Sequence, residues 1–116
     1  MLSLNVLAVA VIATGASAAV ITPRLAHQAD FRVFGATGCK EKNLGIWTVI
    51  EGDVKPGECK GLNGDDVHSI TNVDILKGCS LFAFTDDKCT TEKHPLEVGK
   101  CTNSDSGFKA WTISCE

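Results

Sequence analysis

The chain has 116 residues, 14 acidic and 11 basic, and a formal net charge of -3. Acids interrupt the bases, as in Lys40-Glu41-Lys42, and Tyr is absent, so neither a basic stripe nor a row of stacking aromatics offers itself to nucleic acid or an anionic membrane. The interior of so short a chain is limited, and other constraints must add to its stability.

Leu2 to Val20 carries no charge, and its apolar run ends in the small residues Ala16, Ser17 and Ala18. That pattern reads as a secretory signal over residues 1–18, with release expected because no later run is long enough to span a bilayer. Residues 19–30 read as a partly ordered N-terminal arm, with a short propeptide or an added edge strand as alternatives. A single disulfide-rich β domain is expected over 31–116.

Short runs of aromatic and β-branched residues predict strands at 31–34, 45–50, 67–71, 73–76, 80–85, 96–98 and 108–114. Between them GATG, EGDVKPGE, GLNGDD, NVD, TDDK and NSDSG are turn chemistry. No segment keeps a helical apolar period. In the last strand Trp111 and Ile113 share a side with Cys115 and are expected in the core. Trp47 is a candidate interaction anchor or a core residue.

All six cysteines, Cys39, Cys59, Cys79, Cys89, Cys101 and Cys115, lie beyond the signal, and no Cys-x-x-Cys or His pairing suggests zinc. Three disulfides formed in an oxidising compartment are expected, each worth about 2–4 kcal/mol. FRVFGATGC and LFAFTDDKC share one rhythm, and VKPGEC lies over LEVGKC when Cys39 is placed on Cys89. This predicts two pseudo-repeated halves in an all-β, disulfide-stabilised two-sheet sandwich, the first half carrying an extra segment around Asn43 to Pro56. Repeat symmetry favours pairing Cys39 with Cys59, Cys89 with Cys101 and Cys79 with Cys115. Cross-half pairing remains open.

The F/L-x-x-F elements before Cys39 and Cys89, the Gly-x-Cys elements at 57–59 and 99–101 and the terminal FKAWTISC resemble the small secreted cysteine-rich proteins of filamentous fungi. In these the strands are arranged as in βγ-crystallins or killer toxins. The resemblance spans residues 31–115 and implies an extracellular, host-translocated in some cases, effector or elicitor. It would act as a monomer on a host protein or cell-surface receptor. A killer-toxin-like antimicrobial role is the alternative. The crystallin calcium motif is matched by Asp65, Asp66 and Ser69 but has Ile70 where its final Ser belongs. A solvated turn is therefore the favoured reading there, and no cofactor or metal is assigned.

No catalytic residue is assigned either. A small hydrolase would need His68 or His94 to converge with a carboxylate, and paired cysteines could not act as thiolates. A rigid scaffold presenting loops is the preferred function, with Trp47, His94 and Pro95 as possible interaction residues.

Overall fold

The computed structural model describes residues 25–64 and 66–116. The expected signal and the first part of the expected arm lie outside them. The described residues form eight strands and no helix: β1 (His27–Phe34), β2 (Asn43–Ile50), β3 (Lys60–Gly61), β4 (Val67–Ile75), β5 (Cys79–Phe84), β6 (His94–Pro95), β7 (Cys101–Phe108) and β8 (Ala110–Cys115). Two four-stranded antiparallel sheets result, in the orders β2-β1-β4-β7 and β3-β8-β5-β6. The expected all-β, two-sheet sandwich is the fold.

The halves divide between β4 and β5, and each contributes four strands. Every sheet takes the first, second and fourth strands of one half and the third strand of the other. Exchanging β1, β2 and β4 for β5, β6 and β8, and β3 for β7, turns one sheet order into the other. The repeated stretches match closely. Phe31, Val33 and Phe34 are buried, as are Leu81, Ala83 and Phe84, and Cys39 and Cys89 both adopt left-handed backbone, with φ of 54° and 58°.

Strand exchange also decides the disulfides. Cys39 follows β1 and Cys101 opens β7, in the same sheet, and these two are bonded; Cys59 precedes β3 and Cys89 follows β5, in the other sheet, and these are bonded. The within-half pairs Cys39–Cys59 and Cys89–Cys101 are therefore incorrect, because each half sends its third strand across to the opposite sheet. Cys79–Cys115 is as expected: the two residues face each other in the β5–β8 register with their Cα atoms 3.9 Å apart.

Several boundaries move. The residues His27 to Asp30, read as the end of an arm, belong to β1, an interior strand whose Ala29 is fully buried. The NVD segment is not a turn: β4 runs through Asn72 and joins the two strands expected there. The polar TNSDSG segment, read as a loop, is most of β7, which lies at a sheet edge where its side chains meet water. Pairing on β6 is at His94–Pro95 rather than 96–98.

The core between the sheets contains Phe31, Val33, Val49, Leu62, Ile70, Leu81, Phe108, Trp111 and Ile113. Phe31 meets the edge of Trp111 with ring centroids 5.2 Å apart and stacks on Trp47 at 6.0 Å. Such aromatic pairs add about 0.5–1.5 kcal/mol to their area burial. Trp111 is core, as its alternating strand implied.

Candidate functional site

The outer strands β2 and β3 leave an open flank between the two sheets. Along β2 the side chains alternate: Trp47 and Val49 face inward, whereas Ile46 is 51% exposed on the other side. Trp47 lies directly opposite Phe31 in the register, and its indole meets Trp111 edge-on at 6.1 Å. On the other sheet Lys60 is opposite Trp111. The indole of Trp47 therefore sits at the sandwich margin, half-buried.

The segment from Glu51 to Cys59 closes over this flank. Its first turn is fixed at both ends, since Asp53 N–H donates to the Ile50 carbonyl at 2.9 Å while Asp53 Oδ2 accepts from Ile50 N–H at 2.9 Å. A second turn is fixed the same way, with Lys55 N–H donating to Glu58 Oε1 and Glu58 N–H to the Lys55 carbonyl. Glu51 anchors the segment beside the start of β1 by backbone and side-chain bonds to Ala26, the residue before that strand. Beneath it is a cleft of about 280 Å³ walled by Trp47, Val49, Asp53, Val54, Lys60 and Trp111. A second recess of about 370 Å³ runs from Gln28 and Val54 past Lys55 and Pro56 to Ile113. The apolar walls of the cleft, a lysine at each recess and the exposed Leu44 and Ile46 elsewhere on β2 make this flank suited to an amphipathic partner.

His94 and Pro95 lie on the opposite flank, formed by the outer strands β6 and β7. The imidazole of His94 meets the ring of Phe108 edge-on at 5.4 Å, Pro95 pairs with Phe82, and Lys93 Nζ sits 4.6 Å from the Phe82 ring centre. Asn72 ties down the adjoining segment: its Nδ2 donates to the Leu96 carbonyl at 2.7 Å, and its own carbonyl accepts from Gly99 N–H. The structure does not bring His94 and Pro95 together with Trp47.

The calcium-motif residues are separated in role. Asp65 lies outside the described residues. Asp66 is exposed, and its Oδ1 is 2.9 Å from His68 Nε2. Ser69 is fully buried and points into the fold, accepting from Cys39 N–H at 3.0 Å and donating to the Ala36 carbonyl at 2.6 Å. It staples the turn after β1. His68 has both ring nitrogens engaged, Nδ1 with the Ser104 carbonyl and Nε2 with Asp66; the Ser104 carbonyl foremost, with Asp66 adding to it, raises its pKa above the ordinary value.

Sequence reasoning singled out Trp47 and the extra segment as candidates but not Lys60, which looked like part of a polar stretch. The only hint was its place beside Cys59, itself constrained by the bond to Cys89. Comparison with known proteins finds no match to this chain among family models, curated proteins or solved structures.

Proposed function

We propose that this protein is a secreted binding protein, of the effector or elicitor kind, that holds a host protein through the β2 flank. The observation that carries this reading is the half-buried Trp47 at the mouth of an apolar cleft on the edge strand β2, which also carries the exposed Leu44 and Ile46 outside that cleft. An outer strand offers backbone N–H and C=O groups to an extended segment of a partner, and its alternate side chains supply selectivity. Indole anchors in partly closed pockets dominate the energetics of many interfaces. Three disulfides suit an oxidising extracellular setting and keep the flank in one shape before binding, which lowers the ordering cost of association.

The test is capture of partners from host tissue by the oxidised protein, comparing wild type with Ile46→Lys and Trp47→Ala. Ile46 is exposed, so its replacement leaves the melting temperature unchanged, and the expected result is loss of the partner that wild type retains. Equal capture by Ile46→Lys and Trp47→Ala would overturn the assignment of this flank. Growth inhibition of microbial cells by the purified protein, with no host partner retained, would favour the antimicrobial reading instead.

A further inference from the structure

On the outer face of the β2-β1-β4-β7 sheet, away from the cleft, three metal-ligating side chains converge. They are His27 and Asp30 of β1 and Asp74 of β4, whose imidazole nitrogen and carboxylate oxygens all lie within 4.8 Å of one another. In an unbroken strand, positions three apart would face opposite sides. Here the β1–β2 register shifts between His27 and Ala29, and that bulge carries His27 round to the face of Asp30. A second shift, between Asp30 and Phe31 in the β1–β4 register, leaves Asp30 directly opposite Asp74.

Two carboxylates placed face to face across a strand pair repel, and a cation bound between them would relieve that repulsion. His27 Nε2 stands 2.9 Å from Asp30 Oδ2, with the two side chains 39% and 24% exposed. The other oxygen of Asp30 is occupied, since Thr48 Oγ1 donates to Oδ1 at 2.7 Å from the neighbouring strand. That bond fixes the carboxylate plane and leaves Oδ2 to His27, the role an outer partner plays for a metal-ligating carboxylate.

We propose that His27, Asp30 and Asp74 form a binding site for a divalent transition-metal ion, with Zn²⁺ as the representative. One nitrogen and two carboxylate oxygens suit a borderline ion with bonds of about 2.0–2.2 Å, whereas calcium needs about six to eight oxygens. The ion enters between Nε2 and Oδ2, the Nε2 proton leaves to solvent, and water fills the remaining position. Asp74 closes the set from an exposed position on β4. No thiolate competes, because all six cysteines are bridged.

The experiment is calorimetric titration of tag-free, chelator-treated, oxidised protein with zinc chloride, with calcium chloride as the comparator. Saturable binding of one equivalent of Zn²⁺ is expected, with a rise in melting temperature. His27→Ala and Asp74→Asn each weaken it by about tenfold or more, and Thr48→Val, which only frees the Asp30 carboxylate, by about tenfold. His94→Ala, on the far flank, leaves it unchanged. His27 and Asp74 are exposed, and an unaltered metal-free melting temperature confirms that their variants fold. No zinc binding at millimolar concentration, equal binding by His27→Ala, or stronger binding of calcium than of zinc would overturn the site.

Discussion

Cys39 and Cys89 occupy the same left-handed turn in the two halves, yet different residues hold each turn in place. In the first half the hydroxyl of Ser69, opposite Phe34 in the register, accepts from Cys39 N–H and donates to the Ala36 carbonyl. In the second half the position opposite Phe84 is Ala110, which has no hydroxyl to give. There the Asp86 carboxylate accepts from the backbone and hydroxyl groups of Thr90 and Thr91. Ser69→Ala therefore removes the partner of the half-buried Cys39 N–H and Ala36 carbonyl and is expected to cost about 1–3 kcal/mol in urea denaturation. Asp86 answers to pH instead. Hydrogen bonds from Thr90 and then Thr91 hold its pKa well below the ordinary 3.8, so its contribution is complete above that value and is lost as pH falls below it. Melting curves between about pH 5 and pH 2 should fall more steeply for wild type than for Asp86→Ala. His68 has the opposite sign: with its pKa raised, its contribution is complete below the ordinary 6.5 and fades as pH rises through the folded value.

At the scale of the strand, legibility depended on which side of each element meets water. The two apolar stretches FRVF and LFAF were readable because alternation and burial agree in both. β7 was not, because an outer strand with mostly exposed side chains has no reason to be apolar, and TNSDSG carries the residues that also make turns. Trp47 was legible as a candidate, whereas Lys60 and the His27–Asp30–Asp74 group depend on pairing and bulges that no local pattern reveals. Asn72 misled for a related reason. An Asn between β-branched residues reads as a bend, but here it continues β4, and its side chain serves as a buried tie to the segment after β6. Asn72→Ala strands the Leu96 carbonyl and is expected to cost about 1–3 kcal/mol. Hydrogen exchange at Gly99, whose N–H is held by the Asn72 carbonyl, should accelerate along with it.

At the scale of the whole molecule, the exchange of third strands makes the two halves interdependent. The repeat was legible and the exchange was not, since within-half and cross-half disulfides are equally symmetric and only the sheet order distinguishes them. A half on its own has its first, second and fourth strands in one sheet and a third strand with no sheet to join. It would expose the inner faces that now bury Phe31 and Val33 against Trp111 and Ile113. Expressed separately, residues 25–77 should thus be unfolded as a monomer, or fold only as a dimer in which two copies trade third strands and form a Cys39–Cys59 bond between chains. Circular dichroism with sedimentation across a concentration series separates these outcomes, and a folded monomer at every concentration would mean that strand exchange is not what unites the sandwich.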